Sequence, residues 1–354
     1  MLTCKYTQCI IVNEILMRED LTMKRLISVF LSALMLLSFS LSFTASAVSL
    51  REGPEAAYEC FEDGDSVLDY VYFSPVKGED DTTEYPLILW LHGNSSGDYP
   101  GHQLHNTDIY KFATDELQAR FVGAGGAFLL LPRDPTKSIS LAWDFAVEDA
   151  KKVLDDFIGE HGDNIDLNRI YVGGNSMGGK GVYKIAAAYP EVFAAIFPLS
   201  PVYVPTNTEL RALSDTAVWV FSNSNDNYPQ LSGTSVKTYF NYLNKHSENP
   251  QNNRWSCFSA YYSTGGFINE EEIHNTWTPV LNDLFMDDGS EYKAMSTVDG
   301  EGNSISLTCP EGFIHWLSSQ TLSDNASAVW KNPLKAIIDL FISIFNAIIS
   351  IFGI

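Results

Sequence analysis

The sequence predicts an α/β fold in which helices flank a mostly parallel central sheet. Short apolar runs rich in Val, Ile, Leu and aromatic residues alternate with segments whose apolar residues recur at helical spacing. Such alternation is typical of strand–helix–strand units, and a continuous apolar run is typical of a strand that is covered on both faces. At 354 residues, the chain is long enough for one large domain with extensions.

The predicted elements follow in order from residue 58. Alternating apolar residues broken by Asp63-Gly64-Asp65 predict an antiparallel hairpin over 58–73. Later apolar runs predict strands at 85–91, 127–132, 170–172, 193–199, 217–222 and 255–262. Helical spacing and composition predict helices over 143–158 and 180–189. The first of these helices would bury Phe145, Val147, Val153, Leu154 and Phe157.

The segment 169–180 combines the end of a strand, a tight turn and the start of a helix. The turn reads Gly174-Asn-Ser-Met-Gly178, which fits the pattern G-x-S-x-G of a nucleophile elbow. Small residues two positions before and after the serine let the strand and the helix approach closely. The pattern by itself also occurs in ordinary surface turns, but its context favours Ser176 as a nucleophile.

A serine hydroxyl is a weak nucleophile at neutral pH and needs a histidine base that is oriented by a carboxylate. In this architecture the acid and then the histidine follow the serine along the chain, each after a strand. Asp226 comes directly after the strand 217–222, whereas Asp215 precedes that strand and Asp283 is a more distant candidate. The sequence therefore predicts Asp226 as the acid, against the alternative of an ordinary turn residue.

Three histidines follow Ser176 and compete for the role of the base. His246 lies in a polar, helix-like run and is expected to be solvated. His315 lies in an apolar segment that predicts the last core-packing helix. His274 lies in a loop after the strand 255–262, where the topology requires the base. We therefore predict His274 as the base.

The oxyanion that develops during acyl transfer needs backbone N–H donors. The segment His92-Gly-Asn94 follows a buried strand, and Met177 follows the nucleophile. The backbone N–H groups of Asn94 and Met177 are the predicted donors. His92 is expected to orient this loop and not to exchange protons.

Together these motifs resemble the α/β-hydrolase esterases. The resemblance rests on two segments, Pro86-Leu-Ile-Leu-Trp-Leu-His-Gly93 and Asp166-Leu-Asn-Arg-Ile-Tyr-Val-Gly-Gly-Asn-Ser-Met-Gly-Gly179. Among these esterases, the chain is similar to the group of polyhydroxybutyrate depolymerases, feruloyl esterases and predicted carboxylesterases or peptidases. That group commonly has an Asp before a proline and a Gly-His-x-x-Trp segment. Here Asp226 with Pro229, and His274 with Trp277, match, while Ile273 replaces the glycine.

The chain ends predict a leader and an apolar helix. Lys24-Arg25, the apolar run 26–43 and Ala45-Ser-Ala47 fit a signal peptide over residues 1–47, with Met23 as the natural start. Between residues 336 and 354, 14 of 19 residues are Ala, Ile, Leu or Phe. Because the polar exceptions form one narrow stripe, residues 323–354 are expected to hold a linker and an amphipathic helix. Such a helix would lie on a membrane surface or drive self-association.

Between these ends, residues 48–322 form the predicted catalytic domain, in which 282–311 is an inserted hairpin or a cap near the site. The formal charge of −22 argues against nucleic acid as a partner. Without the leader, three cysteines remain at positions 60, 257 and 309. They match no metal site, and either a Cys257–Cys309 disulfide or free thiols are expected.

The resulting hypothesis is a secreted serine hydrolase that cleaves small-molecule or polysaccharide-linked carboxylic esters through an acyl-enzyme. It implies no metal and no organic cofactor. A peptidase on the same fold is the alternative enzyme, because the same residues also cleave amides. A non-catalytic binding protein on a hydrolase scaffold is the alternative from another class, but such proteins usually lose one of the three side chains.

Overall fold

A computed structural model of the chain describes residues 60–94, 102–105, 108–136, 141–258, 273–284, 295–305 and 312–322. The predicted leader, the apolar C-terminal helix and Cys309 lie outside these ranges, so the expectations for them remain predictions.

The described strands form one sheet in the order β1-β2-β4-β3-β5-β6-β7-β8-β9-β10. Their bounds are β1 Glu62–Gly64, β2 Tyr70–Phe73, β3 Tyr85–Leu91, β4 Phe128–Pro132, β5 Ile165–Asn175, β6 Ala195–Leu199, β7 Ala217–Asn223, β8 Arg254–Phe258, β9 Met295–Asp299 and β10 Ser304–Ile305. Strands β4, β3, β5, β6, β7 and β8 pair in parallel in that spatial order. The remaining pairs are antiparallel, so the mostly parallel sheet is confirmed.

The described α-helices are α1 His102–His105, α2 Asp115–Gln118, α3 Val147–His161, α4 Met177–Ala188, α5 Asn207–Ala212, α6 Gly233–His246, α7 Trp277–Leu281 and α8 Phe313–Ser318. The core lies on both faces of the sheet. Along β3, Leu87, Leu89 and Leu91 belong to one buried cluster, and Ile88 and Trp90 belong to the other. Successive side chains of a strand point to opposite faces, so β3 is apolar throughout because both of its faces are covered.

The predicted helix over 143–158 begins too early. The structure has α3 at Val147–His161, and Phe145, which the helical spacing predicts on the buried face, is 74% exposed. The reason is local. Trp143 has a φ of 60°, so the chain makes a turn here before the helix starts. Because the turn follows β4, Phe145 lies at the carboxyl edge of the parallel strands and not in the core.

The predicted insertion at 282–311 is described over 282–284 and 295–305. The second part is the antiparallel hairpin of β9 and β10, as predicted, and it extends the sheet beyond β8. Because Asp299 pairs with Arg254 at the start of β8, the hairpin turn lies at the amino edge of the parallel strands. This hairpin is therefore no cap over the carboxyl edge, where Ser176 lies.

Candidate active site

Ser176 stands in a sharp turn between β5 and α4. Its φ of 54° and ψ of −111° are unusual for a residue with a side chain. The turn depends on glycine, because a Cβ at Gly178 would lie 1.8 Å from the carbonyl oxygen of Leu91, and one at Gly174 would lie 2.5 Å from the same oxygen. The two glycines of the motif are thus required by the close approach of the end of β3.

The backbone of Ser176 is also held by its neighbours. Its N–H donates to the carbonyl oxygen of Leu199 at the end of β6 (2.8 Å), and its carbonyl oxygen accepts from the N–H of Val202 (3.2 Å). The first residue of the following helix is Met177. The hydroxyl therefore stands at the amino-terminal end of α4, where the helix dipole is positive.

The structure brings Ser176, His274 and Asp226 together, although 98 residues separate the first two. The Oγ of Ser176 lies 2.9 Å from Nε2 of His274, and Nδ1 of His274 lies 2.6 Å from Oδ2 of Asp226. The Asp226 side chain is 1% exposed and the His274 side chain 14%. The buried carboxylate is the acceptor for an Nδ1–H group, which leaves Nε2 free to accept the proton of the serine hydroxyl.

Asp226 is held in this orientation by its own loop. Its Oδ1 accepts the backbone N–H of Tyr228 (3.0 Å), and its N–H donates to the carbonyl oxygen of Asn223 at the end of β7 (3.1 Å). With Oδ1 engaged by the backbone, Oδ2 faces His274. Asp226 is therefore a turn residue, as the alternative interpretation of the sequence expects, and the same turn orients its carboxylate toward His274.

Two aromatic rings flank the imidazole of His274. The Tyr228 ring centroid is 4.9 Å away, and the Trp277 ring centroid is 5.6 Å away in an edge-on arrangement. Tyr228 is 41% exposed, whereas Trp143, which by its sequence position is a third aromatic candidate for lining the site, is fully buried. Tyr228 thus lies beside the imidazole and remains accessible from solvent.

The loop that carries Asn94 is fixed by His92. The Nε2 atom of His92 accepts the backbone N–H of Asp134 (2.9 Å), so the ring proton is on Nδ1, which lies 2.7 Å from the carbonyl oxygen of Gly93. The indole N–H of Trp143 donates to the carbonyl oxygen of His92 (2.9 Å). These bonds agree with the expectation that His92 orients the loop. Asn94 itself is exposed.

Met177, the second predicted donor, is the first residue of α4. The first N–H groups of a helix have no carbonyl partner within the helix, so that of Met177 is suited to receive an oxyanion. Asn94 and Met177 therefore remain the predicted oxyanion donors.

One residue that supports this loop is missed by the sequence reasoning. Asp134 is 2% exposed, and its Oδ2 accepts the backbone N–H of Trp143 (2.6 Å). It thereby holds the strained turn before α3 against the His92 loop. The available signal is an acidic residue followed by Pro135 directly after a buried strand, but only the contacts reveal its partners.

The rejected candidates have other environments. Asp283 is 1% exposed and binds Arg120 (2.8 Å) and the backbone N–H of Ile314 (2.5 Å). Burial raises the pKa of Asp283, against the opposing effect of those two partners. Asp215 lies before β7, at the opposite edge of the sheet. The ring of His246 packs on Tyr242. The neighbours of His315 in α8 are buried, as expected of a core-packing helix, but His315 itself is exposed.

A charged cluster lies one helical turn after the nucleophile. Lys180 of α4 is 7% exposed, and its Nζ lies 2.7 Å from Oδ2 of Asp144, while Nζ of Lys184 lies 3.2 Å from Oδ1. Burial acts to raise the pKa of Asp144, but the two ammonium groups outweigh it, so that this pKa is lowered. The cluster ties α4 to the turn that precedes α3.

Cys257 is a free thiol among the described residues, so the alternative of a disulfide at Cys257 is absent from the described structure. The described ranges contain no group of three or more His, Cys, Asp or Glu residues arranged to hold a metal ion. Within the same ranges, no helix is both long enough and apolar enough to cross a membrane.

Comparison with known proteins agrees with this architecture. A model of the prolyl oligopeptidase family matches residues 143–253, a segment that includes Ser176 and Asp226 but not His274. No curated protein matches the chain. Among solved structures, a thermostable esterase matches with a TM-score of 0.54 at 20% identity, over 74% of this chain and 64% of the esterase chain.

Two acylaminoacyl peptidase structures are also similar. One, in complex with Z-Gly-Gly-Phe-chloromethyl ketone, has a TM-score of 0.37 at 15% identity, over 60% of this chain and 38% of that one. The other, from Pyrococcus horikoshii, has a TM-score of 0.39 at 15% identity, over 61% and 39%. This chain thus spans less than two thirds of the esterase and less than two fifths of the peptidases. The esterase match shows that the chain has the α/β-hydrolase fold.

Proposed function

We propose that this chain is a serine hydrolase that cleaves carboxylic esters through an acyl-enzyme. The observation that carries the proposal is the pair of short contacts from His274, to Oγ of Ser176 at 2.9 Å and to Oδ2 of Asp226 at 2.6 Å. Such a chain of nucleophile, base and buried acid activates a serine hydroxyl. A histidine with a purely structural role would not require contacts with both a serine hydroxyl and a buried carboxylate.

The proposed reaction proceeds in two halves. Ser176 Oγ attacks the ester carbonyl carbon while its proton passes to Nε2 of His274, and Asp226 stabilises the imidazolium that results. The backbone N–H groups of Met177 and Asn94 receive the oxyanion. The tetrahedral intermediate then collapses, and His274 gives its proton to the departing alcohol. Water, activated by His274, attacks the acyl-enzyme in the same way and releases the acid.

The surface around the site favours an apolar group on the substrate. Six large apolar side chains are exposed among the described residues. Four of them follow the carboxyl ends of β4, β6 and β7, the edge at which Ser176 lies: Leu141, Phe145, Val204 and Tyr228. Exposed apolar side chains that form one patch are typical of a binding surface, and the ring of Tyr228 lies 4.9 Å from that of His274. We infer that the ester carries an alkyl or aryl group that contacts them.

A peptidase is the second candidate, because the matched family model is that of prolyl oligopeptidases. The same nucleophile and base cleave amides when the site also recognises a peptide. We favour the ester, on the resemblance of the sequence motifs to esterases and on the fold shared with a protein described as an esterase. A hydrolase-like binding protein is the least favoured, because all three side chains are present and in contact.

A substrate panel tests this order. The full chain without residues 1–47 is assayed with p-nitrophenyl esters of increasing chain length, feruloylated sugars, acetylated xylan and aminoacyl amides. We expect turnover of the esters, because His274 contacts both Ser176 and Asp226. Faster turnover of the amides would make the chain a peptidase, and no turnover of any compound would favour the binding protein.

We further propose that the chain is exported and that its C-terminal helix associates with a membrane surface or with a second copy. The support is the basic start, apolar run and Ala-x-Ala site before Val48, and the amphipathic pattern over 336–354. N-terminal sequencing of exported protein is expected to begin near Val48. Truncation after Asn332 is expected to leave ester hydrolysis intact and to give a monomeric, more soluble protein; unfolding of the truncated protein would contradict the second proposal.

A further inference from the structure

Ser200, the first residue after β6, lies where the elements that carry the three candidate catalytic residues meet. It is fully buried and has a φ of 40°, a conformation that is uncommon for a residue with a side chain. Its N–H donates to the carbonyl oxygen of Phe221 on β7 (2.9 Å), and β7 leads into the Asp226 loop. The preceding residue, Leu199, accepts the N–H of Ser176 (2.8 Å).

The side chain of Ser200 reaches the third element. Its Oγ lies 2.9 Å from Oγ1 of Thr276, and Thr276 is also fully buried. The N–H of Thr276 donates to the carbonyl oxygen of His274 (3.1 Å). The hydroxyl pair is therefore two residues from the candidate base and is tied to it by a backbone turn.

We propose that the buried Ser200–Thr276 hydroxyl pair is a positioning contact that sets His274 in reach of Ser176 and Asp226. The inference rests on the proposed function, since it concerns the base of that reaction. Neither residue is accessible to substrate, so both act through His274. Ser200 suits this role because the same short segment, 199–200, binds the backbone of Ser176 and the strand that leads to Asp226.

A side-chain contact is needed here because no strand pairing fixes His274. In the described structure, residues 273–276 belong to no strand, whereas Ser176 follows the paired strand β5 directly and Asp226 lies three residues after the paired strand β7. A buried hydroxyl is costly to leave without a partner, so the pair has one favoured arrangement. This holds the imidazole within the small positional tolerance that proton transfer allows.

The sheet supplies a matched control. Ser256 on β8 and Thr297 on β9 form a second buried serine–threonine pair, with 2.7 Å between their hydroxyl oxygens. The exposed fractions of these residues are 0% and 5%. Thr297→Val removes the same kind of hydrogen bond as Thr276→Val, from a similarly buried site whose described contacts include no candidate catalytic residue.

The experiment compares Thr276→Val, Thr276→Ser, Ser200→Ala and Thr297→Val in the full chain without residues 1–47. The measurements are kcat and KM with a p-nitrophenyl ester, the rate at which a fluorophosphonate labels Ser176, and thermal unfolding. We expect Thr276→Val to lower kcat and the labelling rate by roughly 10- to 100-fold, with little change in KM. Thr276→Ser is expected to restore the wild-type rate, and Thr297→Val to lower the melting temperature without lowering kcat.

Three results would overturn the proposal. The first is a wild-type kcat in folded Thr276→Val, or in folded Ser200→Ala if Thr276→Val does not fold. The second is an equal loss of kcat in Thr297→Val, which would make the effect one of stability. The third is a wild-type protein that neither turns over the ester nor reacts with the fluorophosphonate, since the proposed function then fails as well. In the first two cases the wild type is active, so the failures are distinguishable.

Discussion

The surroundings of Ser176 and those of His274 are built in different ways. Ser176 is fixed by continuous backbone: β5 runs into it, α4 starts after it, and Gly174 and Gly178 pack against the end of β3. His274 is fixed by side-chain and turn contacts, through Asp226, Ser176 and the pair of Thr276 with Ser200. Ser176 is thus held by the local fold, and His274 by partners from distant parts of the chain.

This difference has a consequence for how each region tolerates change. A change near Ser176 that adds volume collides with main-chain atoms, which cannot move without disturbing the sheet. A change near His274 removes a hydrogen bond and leaves the sheet intact. We therefore expect damage in the first region to appear in stability as well as in rate, and damage in the second to appear mainly in rate.

The largest effect is expected at the nucleophile itself. Ser176→Ala removes the attacking atom and adds no volume, so ester hydrolysis should fall by roughly 10⁴- to 10⁶-fold while the melting temperature stays near that of the wild type. The measurement is kcat with a short p-nitrophenyl ester, beside circular dichroism. Near-wild-type turnover in this variant would end the esterase proposal.

The next largest effect is expected at Asp226, the candidate acid. Asp226→Asn keeps the size of the side chain but no longer favours the Nδ1–H form of His274, so kcat should fall by about 10⁴-fold without unfolding. Asp215→Asn, at the opposite edge of the sheet, is the control and should keep the wild-type rate. His274→Ala should be as impaired as Asp226→Asn, whereas exposed His315→Ala should not; the reverse result would assign the base to His315.

Two glycine substitutions test how tightly the turn at Ser176 is packed. Gly178→Ala places a Cβ within 1.8 Å of a main-chain oxygen and should destabilise the fold by about 1–3 kcal/mol or more. Gly159 of α3 has no atom within 4 Å of such a Cβ, so Gly159→Ala should instead stabilise by about 0.5–1 kcal/mol. Chemical denaturation measures both. Equal effects from the two substitutions would show that the elbow is not tightly packed.

The smallest effect concerns the Asp144 cluster and depends on pH. Because the pKa of Asp144 is lowered in the folded state, its ionised form stabilises the fold above the ordinary carboxyl pKa of about 4. That contribution is lost as the pH falls through the lower, folded-state value. Partial exposure and solvent screening limit it to about 1 kcal/mol or less. The stability difference between wild type and Asp144→Asn should thus be constant from about pH 5 to 7 and shrink below about pH 4; a constant difference throughout would argue against the ion pairs.

The sequence predicts the surroundings of Ser176 well and those of His274 only in part. G-x-S-x-G and its flanks predict the turn because strand, glycines and helix are contiguous, so their requirements can be read in one segment. His274 and Asp226 could be selected only by topology, as residues that follow later strands. Their mutual distances, and the roles of Ser200, Thr276 and Asp134, depend on contacts between segments that no local pattern encodes.

Phe145 shows that contacts with distant residues can also make a local sequence pattern misleading. Phe145 lies at helical spacing from Val153 and Phe157. However, the buried Asp134 carboxylate and the carbonyl oxygen of His92 accept hydrogen bonds from Trp143. The chain therefore turns at Trp143, and the helix starts after that turn. Hydrophobic periodicity records which residues suit a helix face. It does not record a competing hydrogen bond to a residue outside the helical segment, such as Asp134 after β4 or His92 after β3.

The sequence by itself determined the alternation of strands and helices, the apolar strands of the central sheet and the glycine-dependent turn at Ser176. These features follow from short-range sterics and from periodicity, which act within a few residues. Only the tertiary structure decided that Nε2 of His274 lies 2.9 Å from Ser176 and that a hydroxyl pair at Ser200 and Thr276 anchors the segment that carries it. Those distances arise when β6, β7 and the His274 segment pack at one edge of the sheet, because hydrogen bonds between remote side chains form only once the backbone has brought them together.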